Sequence, residues 1–392
     1  MAGGLQPSFS ARREPAISEA EATSGAVLEI DLDAVAHNWR TLRTQHGPGR
    51  ETAAVLKADG YGLGAAPIAA RLHAEGCRHF FTAHLAEAMA LRPYLPGAML
   101  AVLHGLGPGE VDSFLAQDLL PALGSLGEVD TWNAAAGQAG RPLPALLHID
   151  TGMNRTGITP AEARALAAEP ARIAGIDLRF VMTHLVAADS PSSPLNAQQA
   201  ALFAKMTALF PGIPTSFANS SGLFLGNDFA SDLARPGAAL YGLNPTPDRP
   251  NPMRPVATLR ARVMQVHEVA TGEGVGYDHQ WIATRPSRIA TLPVGYADGY
   301  HRALGNRPFG QGAEVFFAGR AFAGRACALV GRVSMDLITV DVTDCPEVVI
   351  GSWGTLIGPE IPPDRLAAVA GTNGYEILTS LGRRFHRVYL GA

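Results

Sequence analysis

The chain has 392 residues, 47% of them hydrophobic and 17% charged, with a formal net charge of −4. That length exceeds what one hydrophobic core usually supports, so two domains are expected in a well-buried globular chain. The charge balance excludes a bulk attraction for nucleic acid, no window approaches the ~18 consecutive apolar residues of a membrane helix, and Cys77, Cys327 and Cys345 are too few and too scattered for a disulfide framework or a metal site.

Residues 1–25 are small and polar and lack the apolar core of a signal peptide, so they read as a flexible tail on a cytoplasmic protein. AVLEIDL at 26–32 reads as a strand. Short apolar segments then recur at 52–57, 78–83, 99–103, 119–122, 144–149, 179–184, 214–219 and 233–240, with Ala/Leu/Glu-rich stretches of helical character such as 64–75, 84–93, 161–168 and 196–210 between them. Buried strands alternating with helices make βα units and a parallel sheet. Eight such units fit an N-terminal (β/α)8 TIM-type barrel over 26–256, with a doubly wound sheet as the other arrangement. The 26–32 strand is left over from that count. NPTPDRPNPMRPV (244–256) holds five prolines and reads as a linker. Beyond it, β-rich segments at 257–268, 275–283, 287–293, 314–318, 325–331 and 335–342, a helical stretch at 362–380 and a last strand at 384–390 predict a C-terminal, mostly β domain over 257–392.

In a barrel, chemistry sits where strands give way to helices. AVLKADGYGLG (54–64) ends the first barrel strand on Lys57, either a snorkelling surface residue or an amine aimed into a site, and loosens the backbone after it with glycines. His148 and DTGMNRTG (150–157), with Arg155, end the fifth strand; His184 ends the sixth; Asn219 and Ser220 end the seventh; Arg235 lies on the eighth. Barrel phosphate sites commonly use the loops after the last two strands, and these supply Ser220, Ser221, Gly222, Arg235 and Gly237. A lysine across the rim from such a nest suits a pyridoxal phosphate Schiff base.

AVLKADGYGLG, DTGMNR, THLVAAD, ANSSG, RPGAALYG, GVGYD, LPVGYADGY, GRVSMD and NGYEIL, in that order over roughly 26–392, resemble the blocks of the alanine racemase family. The resemblance implies a homodimer with sites shared between chains. It also implies racemisation of alanine through a pyridoxal 5′-phosphate aldimine, supplying D-alanine for peptidoglycan, with Lys57 as cofactor lysine and one base, and Tyr277, delivered from the partner subunit, as the second. It implies cofactor binding by Tyr61, His184, Asn219, Ser220, Arg235, Gly237 and Tyr375, with Arg235 facing the pyridine nitrogen. Arg155, Tyr296, Met335 and Asp336 are implied around the substrate.

The chain departs from the family pattern at His148, where many members carry a lysine that is often carboxylated, and at Ser334, where a cysteine often stands. An imidazole holds no stable carbamate, so activity independent of bicarbonate is expected. Alternatives are a broad-specificity racemase acting on serine or other amino acids, a barrel-type decarboxylase, against which Arg235 counts, and a non-catalytic pyridoxal phosphate carrier. Tyr277 and the β domain are what separate a racemase from a carrier.

Overall fold

The computed structural model describes residues 24–305, 312–319 and 322–391; apart from Ser24 and Gly25, the tail expected over 1–25 lies outside the described residues. Strand β1 (Ala26–Asp31) runs directly into helix α1 (Leu32–His46), whose start is capped by the Asp31 carboxylate accepting the Ala34 N–H. β2 (Glu51–Thr52) and β3 (Ala54–Val55) are halves of one stave interrupted at Ala53. The remaining staves are β4 (His79–Thr82), β5 (Met99–Val102), β6 (Leu120–Leu123), β7 (Leu143–His148), β8 (Ile176–Met182), β9 (Thr215–Ser216) and β10 (Leu233–Ala234). Each pairs in parallel with the next, and β10 pairs with β2 while β3 pairs with β4, so the sheet closes into a (β/α)8 barrel and the doubly wound alternative falls. Helices α2 (Ala65–Ala74), α3 (Leu85–Leu91), α4 (Val111–Ala116), α5 (Leu126–Ala139), α6 (Pro160–Ala168) and α7 (Pro194–Thr207) lie between the staves in sequence. These staves read as unbroken apolar runs because both their faces are covered. Val55, Phe81, Ala101, Leu146, Phe180 and Leu233 form a core cluster of their own among the staves, separate from the larger one.

Two strands are shorter than the sequence suggests. The 214–219 segment is strand only at β9, since the Asn219 side chain turns the chain by accepting the Gly222 N–H at 2.8 Å. The 233–240 segment is strand only at β10. Pro236 and Gly237 follow, and then a 3-10 turn, Ala238–Tyr241.

The second sheet is built from β11 (Ala257–Arg262), β12 (Gln265–Val269), β15 (Ser287–Leu292), β16 (Glu314–Gly319), β17 (Phe322–Val330), β18 (Ile338–Asp341), β19 (Trp353–Ile357) and β20 (His386–Leu390), beside a small β13 (Gly274–Val275)–β14 (Trp281–Ile282) hairpin. The surplus strand finds its place here. β1 pairs antiparallel with β11 and parallel with β20, so residues 26–31 belong to the β domain's sheet, and the barrel start expected at 26 moves to α1. β19 was not anticipated, and the 362–380 helical stretch is two helices, α8 (Pro363–Ala370) and α9 (Gly374–Thr379), split at Gly371 with φ 75°. The proline-rich linker is pinned to the barrel by the fully buried Asn38, whose amide donates to the carbonyls of Leu240 and Arg254 and accepts the Arg254 N–H. No helix among the described residues is long and apolar enough to cross a membrane.

The two domains also meet at the chain after Lys57. Arg387 donates to the Gly62 carbonyl at 2.7 Å and Tyr389 to the Leu63 carbonyl at 3.1 Å. Gly62 sits at φ 82°, and a Cβ there would stand 2.4 Å from the Leu378 carbonyl oxygen on α9. Both its backbone angle and its clearance exclude a side chain. Gly62→Ala is therefore expected to destabilise the protein by about 1–3 kcal/mol, combining left-handed strain with a forced separation of turn and helix. Equilibrium denaturation checks this, and an unchanged midpoint would contradict the packing described.

Candidate active site

Lys57 follows β3 at the barrel's C-terminal rim and opens a turn of unusual hand. Ala58, Asp59, Gly60 and Tyr61 stand at φ 53°, 52°, 63° and 54°, a run of left-handed residues that costs about 1–2 kcal/mol at each non-glycine position. The turn closes internally through Gly60 N–H to Leu56 O (2.9 Å) and Gly62 N–H to Ala58 O (2.8 Å), while the Asp59 carboxylate accepts the Ala65 N–H (2.9 Å) at the start of α2. It brings Lys57 at its start and Tyr61 at its end into one cavity of about 400 Å³.

That cavity is also lined by His184 beyond β8, Asn219 and Ser220 beyond β9, Arg235 and Gly237 beyond β10, and Tyr375 on α9. The buried Ser220 hydroxyl accepts the N–H groups of Gly237 (3.0 Å) and Ala239 (3.2 Å), drawing the two loops together. The Tyr61 hydroxyl is packed so closely on this cradle that a Cβ at Gly237 would lie 2.3 Å from it. Its ring stacks on Tyr241, centroids 4.6 Å apart, and Tyr241 in turn donates to the Val55 carbonyl.

Arg235 is 4% exposed and donates to Ser216 Oγ and to the Thr183 carbonyl, both at 2.5 Å. Burial lowers its pKa to about 10, which leaves it charged at neutral pH. A second buried network supports the neighbouring strand ends: Gln199 donates to the Thr151 hydroxyl and the His184 carbonyl, each at 3.0 Å, and Thr151 and Thr183 share a 2.8 Å bond.

The electrostatics are those of a cationic pocket. Burial, then the Arg155 charge, lowers the Lys57 pKa, and Glu87 opposes them. Burial, with Arg235 next, pushes His184 to about 3 and His148 to about 4, so both imidazoles are neutral at physiological pH. Asp189 is the one acid among the described lining residues.

Five expected site residues do not line this cavity. Arg155 is exposed on the loop after β7 but close enough for its charge to act on Lys57, His148 and His184. Tyr277 (66% exposed), Tyr296 (43%), Met335 (54%) and Asp336 lie on the surface of the β domain. Tyr296 and Met335 are neighbours, through the Ala297 N–H to Met335 O bond (3.0 Å), and Arg384 joins Asp336 to Asp298. Sequence reasoning passed over Met153, Leu185, Val186 and Thr379, which also line the cavity and carry no chemical signal of their own.

These features define a class: a two-domain barrel protein with a depressed lysine, a buried arginine and a hydroxyl-and-amide cradle on one rim. The chain matches the family model "Alanine racemase, N-terminal domain" over residues 30–245 and "Alanine racemase, C-terminal domain" over 256–389. It is 52% identical over 361 residues to the alanine racemase of Acidiphilium cryptum (strain JF-5), covering 92% of this chain and 98% of that one. It is 46% identical over 374 residues to the catabolic alanine racemase of Mesorhizobium japonicum, covering 95% of each. The solved alanine racemase from Bartonella henselae with covalently bound pyridoxal phosphate aligns with a TM-score of 0.88 at 37% identity, over 94% of this chain and 100% of that one. The chain belongs to the alanine racemase family.

Neutral burial of His148 has a thermodynamic signature. Its folded pKa lies below the ordinary ~6.5, so the unfolded chain takes up the proton first. The stability this group contributes is complete above about pH 6.5 and is lost as pH falls towards 4. Between pH 7 and pH 5 the loss should be about 2 kcal/mol, and His148→Asn should remove that part of the dependence. Denaturation free energies of both proteins at the two pH values decide it. Equal pH dependence would mean that His148 is not held neutral.

Proposed function

We infer that this chain interconverts L- and D-alanine with pyridoxal 5′-phosphate held at Lys57, as a homodimer whose chains share each site. The observation that carries the reading is the convergence of Lys57, Tyr61, His184, Asn219, Ser220, Arg235, Gly237 and Tyr375 on one cavity. The donor set fits the cofactor. The cradle of Ser220, Gly237 and Tyr61, with Tyr375 beside it, suits a phosphate, and a guanidinium that only donates suits a ring nitrogen that accepts. Bound there, pyridoxal phosphate supplies an electron sink that makes the α-proton of the attached amino acid removable.

The chain's own groups do the rest. Lys57, its pKa lowered by burial and Arg155, takes or returns the proton on one face of the α-carbon. Arg235 would donate a hydrogen bond to the ring nitrogen while keeping its own proton at neutral pH, which leaves that nitrogen unprotonated. Arg155, exposed at the rim, pairs with the substrate carboxylate.

The opposite face requires a second base, and this chain's Tyr277 stands outside its own cavity. Tyr277 is carried on the β13–β14 turn, where Asp278 and His279 stand at φ 56° and 44° and Asp278 is paired with Arg332 at 2.5 Å. A large exposed phenol on a strained, braced turn supports presentation to a second chain, with Tyr296, Met335 and Asp336 bordering the substrate entrance beside it. Three free, buried cysteines suit a reducing cytoplasm, where D-alanine made here feeds cell-wall peptidoglycan.

Two experiments test this. Lys57→Ala and Tyr277→Phe should each abolish most racemisation, yet randomly mixed dimers of the two should recover about a quarter of wild-type activity, because one of the sites in each mixed dimer is intact. No recovery would exclude shared sites, and failure of the wild-type protein to racemise alanine with added pyridoxal phosphate would exclude the function. His148, neutral and unable to carry a stable carbamate, also predicts a rate unchanged by stripping dissolved CO₂. A reversible fall would show a carboxylated group elsewhere in the site.

A further inference from the structure

The left-handed run after Lys57 needs an anchor outside itself, because three of its residues (Ala58, Asp59 and Tyr61) adopt a backbone that side chains oppose. The N–H of the first, Ala58, donates to Glu87 Oε1 at 2.6 Å. The other oxygen of the same carboxylate accepts the N–H groups of Ala83 (2.9 Å) and His84 (3.1 Å), closing the start of α3. Glu87 thus joins the loop after β3 to the loop after β4 without lining the cavity. Glu162, placed equally in α6, caps only its own helix at Thr159. Glu128 of α5 makes a similar bridge, to Leu106 (3.2 Å) and Gly124 (3.0 Å), but its loops bring only Leu103 to the cavity.

We propose that Glu87 is a positioning residue of the Lys57 site: its carboxylate, fixed on α3, holds the Ala58 backbone and through the left-handed turn sets where Lys57 and Tyr61 stand in the cavity. The proposal rests on the reading that Lys57 holds the cofactor. A charged acceptor is needed because three N–H donors from two loops converge on one group, and an amide in its place turns its own donor towards some of them. Glu87 is also a negative charge acting on Lys57 against burial and Arg155, so its removal lowers the lysine's affinity for protons further.

The test uses purified holoenzyme of wild type, Glu87→Gln, Glu87→Asp and, as a cap-loss control, Glu128→Gln. Melting temperature, affinity for pyridoxal phosphate re-added after its removal, and kcat against pH with D-alanine are read for each. Glu87→Gln should weaken re-binding and kcat by about 10- to 100-fold, the scale expected for a misplaced reactive group, and move the acid limb of kcat to lower pH. Glu87→Asp keeps the charge and loses the reach, so it should weaken re-binding while leaving the limb in place. Glu128→Gln should lower the melting temperature without either effect. If Glu87→Gln and Glu128→Gln behave alike, or the acid limb does not move, Glu87 is a helix cap and nothing more. Should Glu87→Gln not fold, Glu87→Asp decides alone, and normal re-binding by it overturns the proposal. A wild-type protein that takes up no cofactor overturns the underlying reading, and is told apart because it fails before any variant is compared.

Discussion

The structure turns on a backbone conformation that the chain adopts at only one place among the described residues: five successive left-handed residues after Lys57, Ala58 to Gly62. Such a turn has no intrinsic stability. It persists because both domains grip it, the barrel through the stave that ends at Val55 and through α2, the β domain through Arg387, Tyr389 and the close wall of α9 at Gly62. The consequence is geometric. An extended chain would carry Tyr61 about 13 Å beyond Lys57, whereas the left-handed turn returns the chain so that both line one cavity. The site is thereby a property of the two domains together, and the chain's path reinforces this, since β1 is laid into the second sheet before the barrel begins.

A second constraint is charge. The pocket gathers Lys57, Arg235 and the field of Arg155 while both nearby histidines stay neutral. Burying like charges together is unfavourable unless an anion joins them, and Ser220 and Gly237, the residues of the cradle, line the same cavity as Lys57 and Arg235. Burial, with the Arg155 charge second, lowers the Lys57 pKa, so in the proposed reaction the enclosure that would hold the cofactor also prepares the amine to exchange protons. In the proposed reaction these are one requirement and not two.

Much of this was legible in the residues, and the failures have physical causes. All eight barrel strands could be located because parallel strands covered on both faces are continuously apolar, and the rim followed from where polar residues interrupt them. β9 and β10 were overdrawn because the apolar content of 214–219 and 233–240 says nothing of the Asn219 turn or of Pro236 and Gly237 breaking the ladder. The partner of β1 was illegible because its pairing spans most of the chain, to residues 257–261 and 386–390. Glu87 was missed for a related reason. A glutamate at the third position of a helix reads as a cap, and His84 before it lacks even the usual capping signal, so its reach to Ala58 exists only in the folded barrel.

What one chain leaves incomplete is informative in itself. Among the described residues its cavity is lined by a lysine, a cradle, a buried cation, neutral His184, the acid Asp189 and two phenols, Tyr61 and Tyr375, whose pKa values burial raises, making them poor bases. Moving a proton from one face of a carbon to the other with a single base requires that base to swing around its substrate, and the braced, doubly gripped turn that holds Lys57 is poorly suited to swinging. The β domain meanwhile displays Tyr277, Tyr296 and Met335 on its surface, with Tyr277 followed by Asp278 and His279 at φ 56° and 44°. The shared site proposed above would set the exposed Tyr277 of one copy opposite the braced Lys57 of the other, a second base that the cavity of a single chain does not supply.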